Sequence, residues 1–380
     1  MTGLPAASTV TDLTPWVIPS FINGCVCPID DHVWTYGALD TGVDAPPTLY
    51  RRGPAKQRVN GLALNLDAGF THRLKNRPAK DPKNFPQRYQ LAPLRQWCQE
   101  HPDVFRDPAC RPEVVCWAGL LKTIMLTPAH LHNPEATGWI VLAWKIEGTL
   151  YLAHVNRPAK PVEQPAMKKS SEKDNEDTER YSFWGQKFEQ CLTHSNEEAN
   201  FSDTSADKTS YIAVRSRRIN GIKVLFGAEI DCRDPDGSGR YVELKTTSVD
   251  AISTHQGRSM NNAKNNYYRF KMLSWWAQCY IAAVPKVLVG YRTADGCCVS
   301  TDEFYTDDLP AKSKAAGAEW NCQDAINFLG AFLDKVKKTV KEDYTKNMYT
   351  FEWSPGTLLV KINSITKNQP KKSSYCETAA

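Results

Sequence analysis

Residues 227–247 read GAEIDCRDPDGSGRYVELKTT and hold two closely spaced groups of charged side chains. One residue lies between Glu229 and Asp231, and one lies between Glu243 and Lys245 after the turn-forming segment DPDGSG. An antiparallel hairpin that is symmetric about Gly237 would place the two groups directly opposite each other. In that register Asp231 faces Glu243, and Glu229 faces Lys245. Because side chains two residues apart share a strand face, we expect all four charged groups to converge on one patch.

Three carboxylates at this distance repel one another strongly unless a positive charge lies among them. A divalent cation meets that need, since oxygen ligands combined with open water positions are typical of Mg²⁺ and Mn²⁺ sites. The neighbouring lysine could hold a water molecule or stabilise a phosphate as charge builds during attack. The pattern therefore predicts a phosphate-cleaving metal site. The alternative is an exposed hairpin with two cross-strand ion pairs.

A fourth carboxylate is predicted to come from a helix that contains WGQKFE. We expect Gly185 to permit close approach of this helix, Phe188 to pack inward and Glu189 to reach the site. The alternative for Glu189 is a solvated acid on a helix surface.

A polar amide, Gln278, interrupts the apolar helical segment KMLSWWAQCY. A buried amide must be hydrogen-bonded, so Gln278 is predicted either to contact substrate or to satisfy a backbone group in the core. Trp275 and Trp276 are predicted to be core side chains rather than platforms for stacked bases.

Composition limits the class of protein. The chain has 380 residues, 41% of them hydrophobic, and a net charge of +5, which does not by itself indicate a nucleic-acid binder. Its twelve cysteines lack zinc-ribbon spacing. The first twenty residues do not resemble a secretory signal, and no apolar run is long enough to span a membrane. We expect an intracellular protein of the nucleus or cytoplasm, or both, with reduced thiols and no membrane partner.

Strands and helices alternate irregularly along the chain, which favours an α+β fold in a single domain over residues 1–380. Hairpins are predicted at Glu147-Gly148 and at Asn220-Gly221. Helices are predicted in LAPLRQWCQEH, YSFWGQKFEQCLTH, YYRFKMLSWWAQCYIAA and CQDAINFLGAFLDKVKKTVKED. Residues 158–180 are polar and poor in aromatic side chains, and they are predicted to form a mobile loop.

Together the blocks WGQKFE, GAEIDC and YVELKT, in that order, resemble the DXO family of RNA 5′-end decapping enzymes and 5′-3′ exoribonucleases. The segment FKMLSWWAQCYIAAVPKVLVGYR resembles the helix and strand of that family that follow them. The resemblance implies mixed, twisted β-sheets flanked by helices around a nuclease-like core with one or two Mg²⁺ or Mn²⁺ ions. It also implies hydrolysis at RNA 5′ ends that are capped, NAD-capped or 5′-phosphorylated: removal of incomplete, unmethylated or NAD caps and of pyrophosphate, and 5′-3′ exonuclease activity.

Carried over by motif, the resemblance assigns roles to individual residues. The implied metal ligands are Glu189, Glu229, Asp231, Glu243 and the backbone carbonyl of Leu244. The implied catalytic residues are Glu229, Asp231, Glu243 and Lys245. The implied substrate-binding residues are Trp117, Ala118, Gly119, Glu229, Lys245 and Gln278, with Lys245 and Gln278 facing the scissile phosphate or its water.

Two departures from the family pattern predict weakened phosphate binding. Ala118 stands where the family has the arginine of a W-R-G segment, and Phe70 occupies the nearest equivalent of a second substrate-side arginine. His72, Arg73 or Lys122 are candidates to compensate for the lost charge. These departures leave open a non-catalytic RNA 5′-end-binding protein or scaffold, with or without a protein partner. A DNA nuclease of the same metal-core class is a third alternative.

Overall fold

The computed structural model describes residues 8–19, 27–29, 32–40, 44–49, 64–71, 91–108, 111–133, 136–155, 172–193, 210–252, 264–318 and 320–367. Their strands are β1 (Ser8–Val17), β2 (Trp34–Ala38), β3 (Leu64–Asn65), β4 (Val114–Trp117), β5 (Trp139–Ile146), β6 (Thr149–Val155), β7 (Ile212–Ile219), β8 (Ile222–Glu229), β9 (Cys232–Arg233), β10 (Tyr241–Ser248), β11 (Lys286–Arg292), β12 (Cys297–Tyr305), β13 (Asn347–Trp353) and β14 (Leu359–Lys367). Their α-helices are α1 (Ala92–Glu100), α2 (Asp103–Arg106), α3 (Ala118–Met125), α4 (Thr127–His130), α5 (Glu172–Thr193), α6 (Met272–Ala282), α7 (Leu309–Ala315) and α8 (Cys322–Thr339).

The first sheet has nine strands in the order β1-β14-β13-β5-β6-β4-β8-β7-β2. Strand β4 runs parallel to both of its neighbours, β6 and β8, while the other pairs are antiparallel. Both predicted hairpins are confirmed, as β5–β6 and β7–β8. At the second turn, Asn220 has φ 50° and Gly221 has φ 75°, the left-handed pair that a two-residue type I′ hairpin requires.

The second sheet has five strands in the order β3-β12-β11-β10-β9. Strands β10 and β11 are parallel, with Glu243 opposite Val287 and Lys245 opposite Val289. Paired residues point to the same side of a sheet, so these four side chains share one face, which we call the inter-sheet face. Leu244 points to the opposite face, as alternation along β10 requires.

Buried side chains show how the layers are stacked. Helices α3, α6 and α8 share one hydrophobic cluster with Phe226 of the first sheet and Val289 of the second, so these helices lie between the two sheets. Helix α1 packs on the other side of the first sheet, where Trp97 meets Leu225. Helix α5 packs on the other side of the second sheet, where Phe188 meets the cluster that contains Leu244 and Leu288. The predicted α+β class is confirmed.

The four predicted helices are confirmed, and Trp275 and Trp276 are buried in the core as expected. The predicted loop over 158–180 is wrong for residues 172–180, because they form the first turns of α5. Residues 158–171 lie outside the described part of the chain. Within the described residues, no helix combines the length and hydropathy needed to cross a membrane.

Candidate active site

The acidic segment is divided between the two sheets. Strand β9 pairs with β10 in the register that a turn symmetric about Gly237 predicts, but the pairing covers only two residues of each strand. Glu229 is the last residue of β8 in the first sheet, and the chain crosses to the second sheet at Asp231. The predicted pairing of Glu229 with Lys245 is therefore wrong, because the segment predicted to be one strand belongs to two.

A chain of hydrogen bonds connects β10 to the helices between the sheets. Glu243 is 1% exposed, and its Oε1 atom accepts from the Nζ group of Lys245 and from the Nε2 group of Gln278. The Oε1 atom of Gln278 accepts in turn from the Nζ group of Lys122 at 3.0 Å. Gln278 thus contacts the acidic group directly instead of satisfying a backbone atom of the core.

Asp231 joins this group from the sheet crossing, where its side chain is partly buried. Its Oδ2 atom accepts from the backbone N–H group of Leu244 at 2.8 Å. Burial and the charge of Glu243 raise the pKa of Asp231 to about 7, against the opposing effects of Lys245 and the Leu244 N–H group. Near neutral pH, Asp231 is therefore shared between its protonated and ionised forms.

Lys245 is the positive centre of the site. Burial alone would lower its pKa, yet the charges of Glu243 and Asp231 outweigh burial and raise it. The ammonium group therefore stays protonated wherever its two carboxyl neighbours are ionised.

The other two predicted carboxylate ligands lie at the margin of this group. Glu229 is exposed and accepts a hydrogen bond from the hydroxyl of Ser210. Glu189 is partly buried on α5. Burial raises the pKa of the Cys232 thiol, and Asp231, Glu243 and Glu189 raise it further, which places Glu189 in the same electrostatic neighbourhood.

The packing of α5 differs in one respect from the expectation. Phe188 is fully buried, as predicted. A side chain at Gly185 would contact nothing within 4 Å, so the prediction that Gly185 permits close approach is wrong. The close approach occurs at Gly290 of β11, where an added Cβ atom would lie 2.5 Å from the ring of Phe188.

Helix α3 begins with the residues that were predicted to line the substrate. Ala118 and Gly119 belong to its first turn, where Ala118 is partly buried and Gly119 is exposed, and a Cβ atom at Gly119 would contact nothing within 4 Å. The ring of Trp117 packs against Gly227, where an added Cβ atom would lie 2.4 Å away, and joins the hydrophobic cluster on the α1 side of the first sheet. Trp117 thus supports the entry into α3 through packing.

The structure places Phe70 in the hydrophobic core. Phe70 is 1% exposed, its ring centroid lies 5.5 Å from that of Phe183, and the guanidinium of Arg180 lies 4.6 Å above it. Phe70 is therefore not a position on the inter-sheet face from which an arginine has been lost. His72 and Arg73 lie outside the described residues. Among the three candidates for compensation, the structure brings Lys122 to the site.

The donor set suits a divalent cation, since it consists of carboxylate and carbonyl oxygens. Asp231 and Glu243 are close enough to raise the pKa of Asp231, so a cation between them would relieve their repulsion. In the part of the chain that the structure describes, no group of three or more His, Cys, Asp or Glu side chains is already gathered for metal binding. The types of ligand atom suit Mg²⁺ or Mn²⁺. The carboxyl groups of Asp231 and Glu243 lie at the centre of the site, and those of Glu189 and Glu229 lie at its margin.

Asp231 at the sheet crossing, with Glu243-x-Lys245 on β10 of the second sheet, resembles the D…(D/E)xK pattern of metal-dependent nucleases. Residues 44–376 match the family model of the RAI1-like PD-(D/E)XK nuclease. The chain belongs to this family.

Individual relatives agree with this assignment. The chain is 29% identical over 251 residues to the decapping and exoribonuclease protein of Xenopus laevis and 30% identical over 253 residues to that of Homo sapiens. Each alignment covers 64% of this chain and 58% of the relative's length. The structure is similar to Candida albicans Rai1 in complex with pU5-Mn²⁺, with a TM-score of 0.65 and 17% identity over 94% of each chain. At this identity the structural likeness shows the fold alone.

Proposed function

We propose that this protein is a divalent-metal-dependent hydrolase that acts on RNA 5′ ends. The observation that carries the proposal is the convergence of Asp231, Glu243 and Lys245 on the inter-sheet face, where Gln278 joins them from α6. The names of the relatives support it, since two are decapping and exoribonuclease proteins and the C. albicans structure contains pU5 and Mn²⁺. The expected substrates are capped, NAD-capped and 5′-phosphorylated RNA, in the nucleus, the cytoplasm or both.

In this proposal Glu189, Glu229, Asp231, Glu243 and the carbonyl of Leu244 would hold one or two Mg²⁺ or Mn²⁺ ions. A bound ion would polarise the phosphate and lower the pKa of a coordinated water. The apolar surroundings strengthen these electrostatic effects, because Glu243 is almost fully removed from solvent.

The chain's own residues supply orientation and charge. Glu243 holds the ammonium group of Lys245 on the inter-sheet face, where the positive charge can stabilise the phosphate during attack. Gln278 is held between Lys122 and Glu243, so its amide is fixed in one orientation. Ala118 and Gly119 lie at the start of α3, whose backbone N–H groups favour an anionic substrate. Trp117 positions this helix start.

The test uses matched RNA substrates that carry an unmethylated cap, an NAD cap, or a 5′-phosphate, each incubated with Mn²⁺ or with EDTA. We expect metal-dependent release of the 5′ group or of nucleotides. Glu243→Ala should lower the rate by two or more orders of magnitude, roughly what loss of a catalytic charge costs. Lys346→Gln is the control, because Lys346 is 72% exposed and pairs only with Glu342 among the described residues. An unchanged rate in Glu243→Ala would contradict the proposal.

A second candidate function is a non-catalytic protein that binds RNA 5′ ends. Two observations favour it: Glu243 is already engaged by Lys245 and Gln278, and position 118 carries no guanidinium. This candidate predicts tight binding without hydrolysis and little effect of metal on affinity. Matched DNA oligonucleotides in the same assay distinguish the third alternative, since a DNA nuclease would be indifferent to the 2′-hydroxyl group.

A further inference from the structure

Lys122 lies on the same helix as Ala118, the position where the family pattern has a substrate-side arginine. Residues four apart on a helix lie on the same face, so Lys122 of α3 lies one turn after Ala118. Helical side chains lean towards the helix N-terminus. We therefore expect the Lys122 side chain to lean from one turn deeper towards the start of α3.

The positively charged ammonium group of Lys122 contacts a neutral amide instead of a carboxylate. Its Nζ group donates to the neutral Oε1 atom of Gln278 at 3.0 Å, and no carboxylate of the described residues lies within ion-pair distance. An ammonium group has three donors, and a buried charge is costly unless it is paired. Burial and, to a smaller extent, the positive charge of Lys245 lower the pKa of Lys122 to about 8, against a smaller opposing effect of Glu243. An anion at this position would supply the missing counter-charge.

We propose that Lys122 binds a phosphate oxygen of the 5′ end of the substrate RNA and so serves in this chain where Ala118 provides no guanidinium. This inference rests on the proposed function, because it places the phosphate beside Gln278 and Glu243. A lysine ammonium is a point charge and cannot form the bidentate contact of an arginine. The single cation holds the phosphate by charge and one or two hydrogen bonds, while Gln278 keeps its other contact with Glu243.

The experiment measures affinity without turnover, by fluorescence anisotropy in EDTA, for one RNA oligonucleotide with either a 5′-phosphate or a 5′-hydroxyl. We expect Lys122→Gln to weaken binding of the phosphorylated RNA about 10- to 100-fold, as loss of a desolvated charged hydrogen bond would. Binding of the hydroxyl RNA should change less than about threefold, because only backbone electrostatics differ there. The surface control Lys346→Gln should affect both RNAs equally and weakly.

An arginine restored one turn away provides the decisive comparison. Ala118→Arg combined with Lys122→Gln should recover at least about tenfold of the lost affinity for phosphorylated RNA, since a charge returns to the same face of α3. A purely structural role of Lys122 would not be rescued in this way. Equal weakening on both RNAs, or absence of rescue with normal folding, would overturn the inference.

The two proposals fail differently. Phosphate-selective loss in Lys122→Gln without any hydrolysis by the unaltered protein would sustain the role of Lys122 and contradict the proposed enzyme. Hydrolysis that proceeds normally in Lys122→Gln, with unchanged affinity for the 5′-phosphate, would support the proposed enzyme and contradict the role of Lys122.

Discussion

Asp231→Asn should stabilise the metal-free protein while abolishing its metal response. Burial and the charge of Glu243 raise the pKa of Asp231 from 3.8 to about 7, so the folded protein retains a proton that the unfolded chain releases. The stability contributed by that proton is complete below pH 4 and is lost as the pH rises towards 7. The full interval corresponds to at most about 4 kcal/mol. Because the side chain is partly exposed and solvent screens the interaction, we expect a gain of about 1–2 kcal/mol in Asp231→Asn at pH 8.

The assay is urea denaturation in EDTA at pH 8 and pH 5, followed by thermal unfolding with and without Mn²⁺ at pH 8. The Asn oxygen can still accept from the N–H group of Leu244, so the local hydrogen bond is preserved. Asp236→Asn in the following turn is the matched control, because hydrogen bonds from Ser238 lower the pKa of Asp236 and its loss should not stabilise. A variant that is less stable than the parent at pH 8, or equally stabilised at pH 5, would refute the electrostatic account of the site.

Further predictions concern the packing of α5 on the second sheet and a buried ion pair of that sheet. Gly290→Ala should destabilise the protein by about 1–3 kcal/mol in urea denaturation, because the new methyl group would overlap the ring of Phe188. Gly185→Ala should instead be neutral or stabilise the protein by up to about 1 kcal/mol, because Gly185 is a helical glycine with open space around it. Equal losses of stability in Gly290→Ala and Gly185→Ala would argue against the packing of α5. Lys286→Met should cost about 3–5 kcal/mol, because it removes the ammonium group that pairs with the buried Asp234 carboxylate, and adding Asp234→Leu should recover most of that loss. No recovery in the double variant would show that the pair is not the source of the cost.

The sequence predicted local features well where the signal was local. Turn chemistry identified the hairpin at Asn220-Gly221, and the symmetric register about Gly237 was correct for the residues that pair. The crossing of the chain from the first sheet to the second was missed, because neither residue at the crossing, Ile230 or Asp231, is a proline or glycine that would interrupt a strand pattern. The role of Gly290 was also hidden, since only its distance to Phe188 distinguishes it from an ordinary strand glycine.

The assignment of Phe70 failed for a related reason. The position of a residue next to a family motif suggests which family residue it corresponds to. It does not determine which side of a sheet its side chain faces, because that depends on the layer against which the side chain packs. Phe70 packs under α5 on the far side of the second sheet. For Lys122 the structure added information instead. The sequence named it as one of three residues that could compensate for the lost arginine charge, and its contact with Gln278 makes it part of the site.

The location of the acidic group explains why its charge is tolerated. Glu243 and Lys245 lie on the inter-sheet face and neutralise each other, whereas Asp231 enters from the crossing between the sheets and accepts a hydrogen bond from the neutral N–H group of Leu244. Asp231 can therefore be neutralised by a proton or by a metal ion, and the two compete for the same oxygen atoms. If metal binds to Asp231 as proposed, the pH-dependent cost of this carboxyl group and the stabilisation by metal would share one origin, so removing the charge would remove both.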